Sequence, residues 1–197
     1  MPFFDKDKLL FIHIPKCGGT SIEDFLISCG NEMSLFTEHS NFLNGHSAQH
    51  STISELNDLG YVADDIQIFT VIRNPIDRTI SEFFFIKKFI PKEKHNYDTF
   101  DDFLTQFLNK ENLKKFDNHN LPSYEFLCNK DGVINNKIKI FNFFDEKDIC
   151  EYLGYPNKKI TFNRLKTNKG DFKITEKQKN KIKKYFKIDY QKFNFND

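Results

Sequence analysis

The chain has 197 residues, of which 39% are hydrophobic and 24 are Phe, enough for one domain spanning residues 1–197 with a core of its own. That aromatic content excludes disorder over most of the length. A balance of 29 basic against 28 acidic residues leaves a formal charge of +1, which excludes a bulk polycation.

In chain order, residues 9–14 (LLFIHI) are almost continuously apolar, the pattern of a strand covered on both faces. A Gly-bearing loop, Pro15-Lys16-Cys17-Gly18-Gly19, interrupts it. A helix is then expected from about Thr20, with Ile22, Phe25, Leu26 and Cys29 on one face. Residues 36–51 read as loop and 52–59 as a short helix. A second buried strand covers 66–72 (IQIFTVI) and runs into Asn74-Pro75, an N-cap followed by proline at the first helical position. The helix that follows places Ile76, Ile80, Phe83 and Phe84 at core spacing. Further elements are a helix over 99–108, a strand over 137–143, and a helix over 145–153. The last is a helix from the capping box Thr175-x-x-Gln178 to about Phe186. Strands alternating with helices predict an α/β fold, a three-layer sandwich with a mainly parallel central sheet.

No run approaches the ~18 apolar residues of a membrane span. The first eight residues are not expected to act as a secretion signal. Cys17, Cys29, Cys128 and Cys150 lie far apart, so neither a zinc site nor a disulfide framework is indicated, and a reducing, cytoplasmic setting is expected. Charge is unevenly spread. Residues 158–187 hold 12 basic and 2 acidic residues, and the remainder holds 17 against 26. Arg164 to Lys169 is read as cofactor-facing, and Lys177 to Lys187 as a solvated helix face with Ile182, Tyr185 and Phe186 turned inward. No nucleic-acid-binding motif or stacking pattern accompanies the basic stretch.

Two motifs carry chemistry. In FIHIPKCGGTSI (Phe11–Ile22) a strand ends in a Gly-rich turn and a helix opens with hydroxyl residues, so backbone N–H groups would face an anion. Gly18 and Gly19 permit close approach of a phosphate, Thr20 and Ser21 add hydroxyl donors, and Lys16 adds a full charge. The lysine precedes the glycines, so this is not the GxxxxGK[ST] loop of nucleotide kinases. In VIRNPIDRTIS (Val71–Ser81), Arg73 stands at the end of a strand, where open α/β sheets bind ligands, and Ser81 lies about two turns into the next helix. Arg73 offers a bidentate fork to a phosphate. Alone, this second motif reads more simply as an Arg–Asp surface pair, Arg73 or Arg78 with Asp77.

Together, in this order and separation, the motifs resemble the sulfotransferases that use 3′-phosphoadenosine 5′-phosphosulfate (PAPS), with the glycan-directed heparan-sulfate-2-O-sulfotransferase-like branch the nearer match. Weaker similarity runs through Gly45-His46, Leu121-Pro122 and the region around Arg164 to Thr167, so the resemblance spans most of the chain. It implies a P-loop-like fold and transfer of a sulfuryl group from PAPS to an acceptor hydroxyl, with a saccharide as the expected acceptor. The product nucleotide is 3′,5′-ADP, and no metal is required. Lys16 would neutralise the leaving oxygens. Cys17, Gly18, Gly19, Thr20 and Ser21 would hold the 5′-phosphate, Arg73 and Ser81 the 3′-phosphate, and Arg164 and Lys166 would meet the cofactor. His46 matches the position of a catalytic histidine, as the base that takes the acceptor's proton. His50 is the fallback, and Glu23 a distant third. His13, inside the strand, is expected to pack or hydrogen-bond there. The alternatives are a small-molecule kinase and a non-catalytic nucleotide- or glycan-binding protein.

Overall fold

The computed structural model describes residues 2–4, 8–34, 42–43, 45–95, 97–162 and 172–195. In chain order these form strand β1 (Phe3–Phe4), strand β2 (Leu9–Ile12), helix α1 (Gly19–Ser28), strand β3 (Met33–Ser34), strands β4 (Phe42–Leu43) and β5 (His46–Ser47), and helix α2 (Ile53–Asp58). Strand β6 (Gln67–Ile72) follows, then helices α3 (Pro75–Phe89), α4 (Phe100–Phe107) and α5 (Ser123–Leu127). The chain continues with strand β7 (Ile138–Asn142) and helices α6 (Glu146–Tyr152), α7 (Glu176–Tyr185) and α8 (Lys187–Phe193).

The three apolar runs pair as expected of buried strands. β2 lies parallel to β6, and β6 parallel to β7, with Phe11 opposite Phe69 and Val71 opposite Phe141. The full order is β3-β1-β2-β6-β7. Its outer two strands are antiparallel, β1 pairing with both β2 and β3. Because side chains alternate along a strand, the sheet feeds two cores. Leu10, Ile12, Ile68, Ile72 and Ile138 pack with Ile53 and Leu56 of α2 and with Phe126 and Leu127 of α5. Leu9, Phe11, Phe69, Val71 and Phe141 pack on the other face with Ile22, Phe25 and Leu26 of α1 and with Ile149 and Cys150 of α6. The fold is therefore α/β, a five-stranded sheet with helices against both faces. Each of these fully buried apolar side chains contributes about 1.5–3 kcal/mol.

Local chemistry sets the helix starts. Thr52 with Glu55, Thr99 with Asp102 and Thr175 with Gln178 each form a reciprocal capping box. Asn74 accepts the N–H of Ile76 at 2.9 Å ahead of Pro75. Two of the differences from the sequence reading bear on the site. Within 36–51, which reads as loop, the structure places the β4–β5 hairpin and a 3-10 turn, Ala48–His50. On α3 the fully buried face is Arg78, Thr79, Glu82, Phe83 and Ile86, while Ile76, Ile80 and Phe84 are only partly covered. Arg78 and Glu82 can occupy deep positions of that helix because they find hydrogen-bond partners on other segments.

A third cluster explains the many Phe residues. Phe83, Phe100, Phe103, Phe107, Phe116, Ile182 and Phe186 join α3, α4 and α7 beside the sheet. Phe103 and Phe107 stack with ring centroids 4.8 Å apart. Ile182 and Phe186 are fully buried, while Lys177, Lys181, Lys184 and Lys187 face solvent and Lys181 bonds Asp101. The solvated-face reading of that basic helix holds. Arg164 and Lys166 lie outside the described residues.

Candidate functional site

The loop after β2 is held by the strand beside it and by α3. Lys16 adopts a left-handed backbone, φ 64°, and Gly18 has φ 84°. For a side chain as large as lysine this conformation costs roughly 1–2 kcal/mol, and such strain persists where surrounding contacts enforce it. Those contacts are visible. Arg73, one residue past β6, donates from Nη1 to the Lys16 carbonyl at 3.2 Å. Arg78 donates from Nε to the Pro15 carbonyl at 3.0 Å. α1 begins at Gly19, and its first bonds run from the N–H groups of Ser21 and Ile22 to the Gly18 carbonyl. The N–H groups before them are those a helix leaves for an anion.

The glycines have a second reason to be glycine. A Cβ on Gly19 would stand 2.4 Å from His13 Nε2, and one on Gly18 would stand 2.7 Å from Phe162 and 2.8 Å from Phe143. Protein rings fill the space that side chains would need. Phe143 also lies under Arg73, whose guanidinium carbon is 4.6 Å from the ring centroid. A depression of about 180 Å³ opens beside this pair, lined among others by Phe144, Lys159 and Ile160. Thr20 is exposed, Ser21 is buried, and Ser81 is half-buried on α3. The Cys17 side chain points into the core, and burial pushes its thiol up to about 11.

Arg78, Glu82 and Phe85 stand at i, i+4 and i+7 on α3, one face of the helix. Phe85 carries the Lys16 Nζ 3.7 Å from its ring centroid. Burial lowers the Lys16 pKa, and the Glu82 charge partly opposes that shift. Glu82 is buried and accepts from His119 Nδ1 at 2.7 Å. Its burial favours the neutral acid, but His119, Lys16 and Arg78 outweigh this and hold the carboxyl below its ordinary range. Arg78 is 1% exposed and pairs with no surface aspartate. It reaches the carbonyls of Leu121 and His119, each at 2.9 Å, and Ser123 Oγ at 3.3 Å. The surface pairing of Arg78 with Asp77 is thereby overturned: Arg78 is a buried peg between the loop and the 119–123 segment.

Three histidines form a row next to this loop. His13 and His50 have ring centroids 5.4 Å apart, and His50 and His119 4.7 Å apart. Each ring has a carboxylate at Nδ1: Glu23 for His13, Asp117 at 2.8 Å for His50, and Glu82 for His119. His13 thus packs and hydrogen-bonds as its place beside the strand implies, and Glu23 is its partner. Burial drives the His50 pKa well down despite Asp117. Asp117 is held well below the carboxylate range, because bonds from His50 and Ser47 outweigh its own burial.

His46 is buried elsewhere in the same segment. Its Nδ1 donates to the Ser47 carbonyl at 2.9 Å and its Nε2 to Glu55 at 3.0 Å. Both neighbours are acceptors, so both bonds form only when the ring carries two protons. Burial lowers its pKa, but these bonds outweigh burial and the net shift is upward. Sequence reasoning missed Glu82 and Asp117, did not single out His119 among the chain's six histidines, and read Arg78 as a surface partner of Asp77. His13 aside, the row comes from segments that no local motif links.

Comparison with known proteins returns a family model described as "Sulfotransferase family", matched over residues 2–196. No curated protein and no solved structure matches.

Proposed function

The chain belongs to the sulfotransferase family, and from that premise we propose that it moves a sulfuryl group from PAPS to a hydroxyl of a saccharide, as in the heparan-sulfate-2-O-sulfotransferase-like branch. The observation that carries the reading is the pairing of Lys16 and Arg73 across adjacent parallel strands, with a helix start between them. A 5′-phosphate on the N–H groups of Gly18, Gly19 and Thr20 would sit beside Lys16. Arg73 and Ser81 would grip the 3′-phosphate, the group that distinguishes PAPS from ATP, and Arg164 and Lys166 would close on the nucleotide. The loop remains P-loop-like in logic, with the lysine ahead of the glycines.

The reaction is an in-line displacement. The acceptor oxygen attacks sulfur, the bond from sulfur to the 5′-phosphate oxygen breaks, and 3′,5′-ADP leaves. Lys16, desolvated against Phe85, opposes the charge that grows on the leaving oxygen, and a preorganised cation there acts mainly on the transition state. Protein cations and N–H groups supply this neutralisation, so the transfer itself calls for no metal. The acceptor's proton goes to a histidine. His46 holds the family position, but its doubly hydrogen-bonded ring is already a proton donor. The geometry favours the fallback, His50, which is kept neutral by burial and oriented through Nδ1 by Asp117, leaving Nε2 to accept.

Two measurements test this. Thermal shift should rank 3′,5′-ADP above 5′-ADP, because only a ligand that uses the 3′-phosphate gains from Arg73 and Ser81. Equal shifts would remove that role. Transfer of labelled sulfate from PAPS to a panel of saccharides should proceed. Binding of 3′,5′-ADP without transfer to any acceptor would leave a binding protein in place of an enzyme.

A further inference from the structure

His50, Asp117 and His119 each offer one ligand atom, and these three atoms lie within 4.8 Å of one another. We propose that they form a site for a divalent first-row cation of the zinc type, placed against the Lys16 loop.

The donor set fits. Two imidazoles and one carboxylate are the N and O ligands such ions prefer, and three protein ligands leave one position open. The span is small enough that a modest inward shift brings all three atoms to the ~2.0–2.2 Å of Zn–N and Zn–O bonds. The cluster is also more than an accident of surface acids, because His50 is buried and all three backbones are pinned. Asn118 donates from its side chain to the His50 carbonyl at 3.2 Å, and Arg78 holds the His119 carbonyl. Between the two turn ligands the chain takes two successive left-handed residues, Asp117 at φ 51° and Asn118 at φ 61°. Asp and Asn tolerate this conformation better than other side-chain-bearing residues, and the tight turn they make sets Asp117 and His119 side by side.

Support from surrounding groups is present as well. Glu82 accepts from His119 Nδ1, which fixes the ring and directs Nε2 as the ligand atom, the carboxylate–histidine arrangement that orients metal ligands. Ser47 holds Asp117 from both its backbone N–H and its hydroxyl. With a cation at Nδ1 in place of the hydrogen bond to Asp117, the neutral His50 ring carries its one proton on Nε2.

The site does not depend on the transfer reading, and it is read without donor or acceptor. The full chain, stripped with chelator, is titrated with Co²⁺ alone, followed by visible absorption and then competition with Zn²⁺. One Co²⁺ per chain with a low-symmetry d–d spectrum, displaced by Zn²⁺, is the expected result. His119→Ala and Asp117→Asn should each weaken binding by at least about 100-fold, and Glu82→Gln, which removes only the orienting carboxylate, by about 10- to 100-fold. Lys16→Ala should bind the metal normally. Absence of the d–d spectrum in the unmodified chain overturns the proposal without recourse to any variant. So does unchanged affinity in folded Asp117→Asn and His119→Ala. Since His50 is also the proposed base, Zn²⁺ should inhibit transfer and chelator restore it. Metal binding with no effect on transfer would keep the site and remove His50 from the base role.

Discussion

Two arrays of ionisable side chains meet beside the loop after β2, and they are assembled in opposite ways. The cations Lys16, Arg73 and Arg78 come from two short motifs, each a strand end running into a helix. The histidines His13, His50 and His119 come from three segments; of their carboxylates, Asp117 shares the turn of His119, while Glu23 comes from α1 and Glu82 from α3. The first array reads off the sequence because local chain geometry places it. The second exists only after folding, when α3 and the turn at 117–119 close over the loop. In the proposed reaction the contrast also separates tasks: the cations face the donor's phosphates, and His50 of the second array takes the acceptor's proton.

Breaking the peg between the arrays should have the largest effect. Arg78→Ala leaves the carbonyls of Pro15, Leu121 and His119 without this donor and removes a nearby positive charge from buried Asp189, which keeps only the N–H bonds of Ser123 and Tyr124. A loss of about 3–5 kcal/mol is expected in urea unfolding. An unchanged midpoint would show that the two arrays stand independently. Lys16→Ala should instead spare stability and lower kcat by on the order of 10²–10³-fold, with the 3′,5′-ADP thermal shift largely retained. Loss of binding in place of turnover would move Lys16 from transition state to ground state.

Gly19→Ala tests the seam itself. A methyl there meets the His13 ring, so the variant should lose about 1–3 kcal/mol of stability. It should also lose activity through displacement of the histidine row, even though every cation remains.

Within the second array, acid should act on His50. The folded pKa of His50 is depressed, so between that value and about 6.5 the unfolded chain holds a proton the folded chain lacks. Stability therefore falls as pH drops below about 6.5, by at most about 1.4 kcal/mol per unit for this one group. His46 has the opposite sign: its raised pKa gives a contribution that is full below 6.5 and lost as pH rises through the folded value. Asp117, depressed in the fold, gives its contribution up only in stronger acid. His50→Gln should flatten the unfolding free energy between pH 6.5 and about 4.5 relative to the unmodified chain. An unchanged slope there would show that His50 is charged in the fold.

How much was legible follows the same division. The strands at 9–14 and 66–72 were readable because strands covered on both faces are nearly apolar throughout, and 137–143 because Ile138, Ile140 and Phe141 are interleaved with Lys139 and Asn142, the half-buried pattern of a strand at the end of the sheet. The helix starts were readable because a cap is a local hydrogen bond. The Lys16 loop and Arg73 were readable from type and spacing. The β1 and β3 edge was not, since strands of two residues leave no periodicity to detect. The burial of Arg78 and Glu82 was hidden too. On α3 their spacing looks like a charged surface pair, and only the distant carbonyls and His119 convert it into an interior face. His46 stood out because it adjoins a glycine in a familiar position, whereas Asp117 and His119 carry no local mark at all.

One thiol sits in the middle of the loop after β2, and its burial has a practical consequence. With a pKa of about 11, Cys17 is a thiolate in only about one molecule in a thousand at pH 8, and only the thiolate reacts. Iodoacetamide should therefore spare transfer activity, labelling half-buried Cys29 before Cys17. The proposed nucleotide site, though it holds a cysteine, should then keep working through handling in air, without added reductant.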